Sequence, residues 1–315
     1  MKKFDRSDKI VALLIILIPI IFVIVGIIFF PYDPIKKEEI TIDFIIIDSI
    51  LFTGLFLLLA GFLLKKQGLS NMIKIAGWIL FAFFWATQTN TLYYGEDGDF
   101  FNAGLCIIGV FVLFYFIYWE WLTISNRKQI NCLNWAAGAA AIAGLIYFTI
   151  DLSPLQMMLR EIVASQSAAL LNIFTGDVYQ SGVLISWADA NISIIFACTA
   201  VQSMVLFVGM IVPLSNVDIK RKLIGLTVTL IPIYFLNLVR NVVVVYLTGV
   251  YGHEFFSTAH NIIGKGGSLI ALVVLLFIVI KFIPEVFDEI ICISDLPKEG
   301  GPIELFVRKH ILRKK

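Results

Sequence analysis

Apolar residues in this chain gather into blocks of roughly 20, the length that crosses a bilayer as a helix. Eight such blocks can be drawn, at about 10–30, 44–64, 73–93, 100–123, 132–150, 194–214, 223–248 and 266–288. Backbone polar groups in lipid must be satisfied within the segment, so the blocks are helices. The pattern predicts an all-α polytopic membrane protein of about eight transmembrane helices. Composition agrees: 59% of the 315 residues are hydrophobic, mean hydropathy is +0.93, and 15% are charged, where a typical globular chain has about 25%. The first block is long, lacks a small-residue cleavage site and is followed by further spans. It is expected to be a retained helix rather than a cleaved signal.

The blocks differ in character. The first is nearly pure Ile, Val, Leu and Phe and is expected to face lipid. The fifth is mostly Ala and Gly over 136–144, and small residues let helix backbones approach closely, so it belongs inside a bundle. Trp119 and Trp121 flank Glu120, which reads as an interfacial belt with a solvated carboxylate. Between the fifth and sixth blocks lies the longest polar-rich stretch, 151–193. Ser153-Pro154 marks a helix start there, and Leu155, Leu159, Ile162, Leu170 and Ile173 recur at helical spacing up to Gly176. The spacing predicts an amphipathic helix lying on the outer surface or folded over the bundle. The segment 183–187 reads as a short strand or a lead-in.

Lysine and arginine set the orientation. Eighteen of them fall in the termini and alternate loops, from Lys2 and Lys3 through Lys65, Lys66, Arg127, Lys128 and Lys220–Lys222 to Lys314 and Lys315. Four, Lys36, Lys37, Arg160 and Lys265, fall in the opposite set. Both termini are therefore expected in the cytoplasm, with the acidic Glu96, Asp97 and Asp99 outside. The chain is expected to divide into N-terminal helices 1–4 (1–130), a catalytic membrane region (131–290) and a basic cytoplasmic tail (291–315). A net charge of +1 without a basic stripe gives no reason to expect nucleic acid. The four cysteines are far apart with no CxxC pair, and the three histidines lack metal-ligand spacing, so neither a disulfide framework nor a structural metal is expected. Cys106, Cys132 and Cys292 read as small hydrophobes.

Three rare residues remain. Arg240 lies about eight residues from the outer end of its span, roughly 12 Å deep at 1.5 Å per residue. A charge there is costly and usually faces the bundle interior as a functional group; the alternative is a structural arginine snorkelling outward or bonded to helix carbonyls. Asn237 lies one turn away and Asn241 is adjacent. Cys198, between Ala197 and Thr199, is expected one turn into the sixth span. His260, or its rival His253, lies in an expected outer loop at 249–265; the glycines at 264, 266 and 267 would let that loop pack closely. A thiol, a guanidinium and an imidazole at one depth are the minimum set for acyl transfer through a thioester. The imidazole takes the thiol proton, and the guanidinium stabilises an oxyanion in a low-dielectric site.

The phrases Ala197-Cys198-Thr199 and Asn237-x-x-Arg240-Asn241, with His260 before the last helix, resemble the exosortase/archaeosortase family. The stretch from Cys198 to Gly209 is most similar to the archaeosortase branch, and the resemblance covers roughly 150–285. It implies a membrane cysteine transpeptidase, active near the outer face, that cleaves a C-terminal tag on secreted proteins: a signature, a hydrophobic helix and a basic cluster. The resemblance further implies transfer of the new C-terminus to a membrane lipid, with no cofactor and no metal. By it, Cys198 is the nucleophile, Arg240 stabilises the intermediate or positions substrate, and His260 is base and then acid, with Thr199, Asn237 and Asn241 supporting. Two other classes stay open. One is a transporter with Arg240 as an anion site, for which discontinuous helices and repeated halves are expected; the other is a non-enzymatic assembly factor with Cys198 inert.

Overall fold

The computed structural model describes residues 6–30, 42–94, 100–126 and 130–310. Lys2, Lys3, Lys36, Lys37, Glu96, Asp97, Asp99, Arg127, Lys128, Lys314 and Lys315 lie outside them. Among the described residues, six helices are long and apolar enough to cross a membrane: Ile45–Leu63, Gln67–Tyr94, Phe100–Ser125, Asn131–Asp151, Ile219–Tyr251 and the continuous helical run His253–Phe282. Leu13–Phe29 and Val201–Ile211 are shorter apolar helices. The protein is an all-α polytopic membrane protein, the described residues include a small sheet, and the fold divides into two units, 1–141 with 289–315, and 142–288.

The first unit holds α1 (Arg6–Phe29), α2 (Ile42–Leu63), α3 (Gln67–Tyr94), α4 (Phe100–Asn126), the start of α5 (Asn131–Asp151), the end of α10 (Glu285–Asp295) and α11 (Pro302–His310). As expected, α1 exposes a run of large apolar side chains, Leu13 to Phe29. Close approach of α2 and α3 depends on glycine: a Cβ on Gly54 or Gly77 would press on the opposing helix, the small-residue contact that brings membrane helices together. Ala136, Ala137, Gly138 and Ala141 of α5 are buried, as their size predicts.

Two features depart from expectation. Glu120 is not solvated. It is fully buried and pairs with Lys74 at 2.9 Å, because α3 and α4 pack face to face and bring two polar positions together. Cys132 and Cys292 are not simple hydrophobes but form a disulfide across a separation of 160 residues. No sequence spacing marks that pair, since the fold alone joins the start of α5 to the end of α10.

The second unit carries α6 (Leu155–Thr175), strands β1 (Tyr179–Ser181), β2 (Leu184–Trp187) and β3 (Ala190–Ser193), then α7 (Val201–Ile211), α8 (Ile219–Tyr251) and α9 (Gly266–Phe282). The strands form an antiparallel β1-β2-β3 meander with Tyr179 opposite Ser186 and Ile185 opposite Ile192. A two-residue turn with Gly182 at φ +56° joins the first two.

The helix α6 begins after Ser153-Pro154 and stops at Gly176, as predicted. Beside the predicted apolar stripe, a second face of the helix is buried. Val163, Ala164, Ser167, Ala168 and Leu171 are buried, while Leu155, Ile162 and Ile173 are exposed. The smaller side chains allow closer packing, leaving the bulkier stripe to the outside. Buried α6 residues join Ile185, Ala190, Ile192, Ile194, Cys198 and Val245 in one apolar core. Trp187 lies across Gly249 of α8 and stacks on Tyr246, with ring centroids 5.3 Å apart.

Candidate functional site

Cys198 does not sit inside a helix. It ends a 3-10 turn, Phe196–Cys198, that links β3 to α7. The helix cannot start earlier because Ala200 adopts a left-handed conformation, φ +68°. That conformation costs a non-glycine residue roughly 1 kcal/mol or more and persists where neighbours enforce it.

The neighbours are visible. Phe196 O accepts from Thr199 N at 3.0 Å and Thr199 Oγ1 at 2.7 Å. Thr199 is thus spent on bracing the turn. The Cys198 carbonyl accepts from Asn237 Nδ2 at 2.7 Å and Asn241 Nδ2 at 3.1 Å. These amides sit four residues apart on α8, so one helix face grips one carbonyl through both lone pairs. Arg160 Nε donates to Ile194 O at 2.8 Å and ties down the approach to the turn. Cys198 itself is a free, buried thiol.

Arg240 shares that stretch of α8. Its Nε is buried and, among the described residues, has no hydrogen-bond partner. The guanidinium lies against Gly264: a Cβ there would come within 3.2 Å of Nε and 3.4 Å of Val244 Cγ2. Gly264 belongs to a π-helix, Thr258–Lys265, which replaces the expected loop and runs directly into α9. The wider π turn recurs at functional sites, and here it carries His260 into the membrane-spanning run His253–Phe282.

Phe256 stands between the two histidines. Its ring stacks on His260 at 5.4 Å and on His253 at 6.1 Å. Phe256 also packs on the core cluster that contains Cys198. His260 is partly buried and His253 exposed. Direct contacts therefore link the Cys198 turn to Asn237 and Asn241, Arg240 to the π-helix of His260, and His260 through Phe256 to the core around Cys198. Sequence reading missed Phe256, Arg160 and the left-handed Ala200, and gave Gly264 only a general packing role. The glycine in an otherwise apolar helix approach was the one available signal. Among the described residues, no group of three or more His, Cys, Asp or Glu side chains is arranged to hold a metal.

The sequence profile described as "transmembrane exosortase" matches residues 46–278. Archaeosortase A of Haloferax volcanii is 26% identical over 263 residues, covering 72% of this chain and 85% of the relative. No solved structure matches the chain. The profile takes in most of the chain, including every member of the Cys198, Arg240 and His260 constellation, and the chain belongs to the transmembrane exosortase family.

Proposed function

We propose that this protein is a membrane cysteine transpeptidase that removes a C-terminal sorting signal from secreted proteins through a thioester. Family membership supports the processing of such signals. One observation carries the chemical assignment: the buried Nε–H of Arg240, without a partner among the described residues, on the helix whose amides hold the Cys198 turn. A buried donor left unsatisfied costs about 1–3 kcal/mol. A preorganised donor of this kind serves an oxyanion that appears during the reaction.

In this reading His260 accepts the thiol proton and Cys198 Sγ attacks the scissile carbonyl carbon. The carbonyl oxygen becomes an oxyanion beside Arg240. Collapse breaks the C–N bond, and His260 returns the proton to the departing amine of the tag helix. The acyl group stays on Cys198 as a thioester. A nucleophilic hydroxyl or amine of a membrane lipid then attacks it, giving up its proton as Cys198 is restored. A substrate anchored by its own C-terminal helix reaches the site laterally without leaving lipid. On the lysine and arginine distribution, the site faces the outside and both termini the cytoplasm.

The test is co-expression of a secreted reporter bearing a candidate C-terminal tag with wild type, Cys198→Ala, Arg240→Lys or His260→Ala, reading tag loss and lipid label. Processing by wild type and loss of at least 10³-fold in Cys198→Ala is expected. Equal processing by wild type and Cys198→Ala overturns the thioester mechanism.

A further inference from the structure

The first unit contains a cavity of about 410 Å³ that shares no residue with the candidate site. Its wall is drawn from the end of α2, the first turns of α3, the last turns of α4 and the start of α5. Four membrane-spanning helices begin or end at this level, so the cavity lies at the depth of lipid headgroups rather than of acyl chains.

The cavity is amphiphilic. Ser70, Asn71, Lys74 and Thr123 make a buried polar floor. Phe62, Leu63, Leu64 and Ile130 make an apolar lip, with Leu63 and Leu64 exposed. Lys74 is built in: its stem packs over Gly61, where a Cβ would collide with Lys74 Cγ. Its ammonium pairs with fully buried Glu120. An ammonium has three N–H donors, so one carboxylate oxygen does not exhaust it. A buried ion pair gains little over apolar residues of the same volume, and the placement of Lys74 in the wall, with Glu120 behind it, gives the pair a use that stability does not. Lys65 adds a second ammonium at the exposed rim. Two cations against the single carboxylate behind them leave the wall net positive.

We propose that this cavity binds an anionic phosphate-ester headgroup. Lys74 and Lys65 contact the phosphate oxygens, Asn71 and Ser70 line the headgroup, and acyl chains run along Phe62, Leu63 and Leu64. On the charge-based orientation this is the cytoplasmic leaflet. The same chemistry can be presented by a phospholipid or by a soluble phosphoester, and the apolar lip favours the lipid.

The experiment uses the purified full chain in a neutral detergent. Short-chain phosphatidylglycerol, phosphatidylcholine of equal chain length and glycerol phosphate are titrated separately, reading the thermal midpoint and bound ligand by native mass spectrometry. Phosphatidylglycerol is expected to raise the midpoint where phosphatidylcholine does not. A matching shift by glycerol phosphate assigns the same site to a soluble phosphoester. Lys65→Glu should weaken binding roughly tenfold, the loss expected for one charged hydrogen bond. The double change Lys74→Met with Glu120→Leu removes both buried charges together, which tends to preserve the fold, and should abolish the selective shift. If the double variant does not fold, Lys65→Glu still decides. Equal shifts by the two lipids, or a selective shift that persists in every folded variant, overturns the proposal.

Discussion

The grip on the Cys198 carbonyl can be tested with a double-mutant cycle. Asn237→Leu and Asn241→Leu each remove one donor while roughly keeping volume. Losing one neutral hydrogen bond costs about 0.5–1.5 kcal/mol net, because the carbonyl still has its other amide. Losing both strands a buried carbonyl, a cost of about 1–3 kcal/mol on its own. The two changes should therefore be more than additive, with an interaction near 1 kcal/mol, within the range seen for contacting residues. Opening of the turn can be read as alkylation of Cys198 by iodoacetamide, followed by peptide mass spectrometry. Cys106, a free buried thiol in the first unit, is the internal reference. Each single change should speed Cys198 labelling about 2- to 10-fold. The double should exceed the product of the singles by about 5-fold, since 1.4 kcal/mol is tenfold in an opening equilibrium. A double equal to the product within error, or a parallel rise in Cys106 labelling, would refute a local latch.

Other consequences follow from named contacts. Gly264→Ala puts a methyl group 3.2 Å from Arg240 Nε; since a 1 Å misplacement costs about 100-fold, a shift of a few tenths should lower reporter processing roughly 3- to 10-fold. Gly267→Ala meets nothing within 4 Å and should leave processing unchanged while slightly stabilising the helix. Hydrogen bonds from Arg221 hold the Glu285 carboxyl below the usual carboxylate range. Its contribution is thus complete above the unfolded pKa and lost as pH falls through the lower folded value. Glu285→Gln should show a small drop in thermal midpoint at pH 7, small because the pair is partly exposed; that gap should shrink progressively in melts taken at pH values below the unfolded carboxylate range. Non-reducing digestion should release a Cys132–Cys292 linked peptide. Reduction should lower the thermal midpoint, since closing a loop of this size is worth up to about 5 kcal/mol in chain entropy.

Much of the architecture was readable because lipid imposes one rule: apolar, about 20 residues, helical. The fourth, fifth and seventh blocks match helices α4, α5 and α8 closely. The start and stop of α6 were readable for a local reason, Ser153-Pro154 before it and Gly176 after it. Pairings between distant positions were not. Glu120 meets a lysine 46 residues earlier, and Cys132 a cysteine 160 residues later. Flanking tryptophans made Glu120 look solvated, although packing of α3 on α4 had buried it. The disulfide also bears on orientation. The charge count puts both cysteines on the cytoplasmic side, where thiols are usually kept reduced, so locating this bond tests the topology as well as the fold.

The site was half legible, and the illegible half explains the legible one. Cys198, Asn237, Arg240 and His260 stood out as polar or reactive groups in apolar surroundings. Nothing in Thr199-Ala200-Val201 announces a left-handed residue, and nothing in Thr258–Lys265 announces a π turn. Yet irregular backbone at membrane depth survives only where other groups satisfy it. Asn237 and Asn241 do so for the broken backbone at Cys198. Arg240 packs against the second irregular segment, its Nε without a hydrogen-bond partner among the described residues. Two amides one turn apart in a membrane helix therefore carry structural information beyond their own positions. Here the chain opposite is not helical, and Cys198 in it is held by its backbone carbonyl while its thiol stays free.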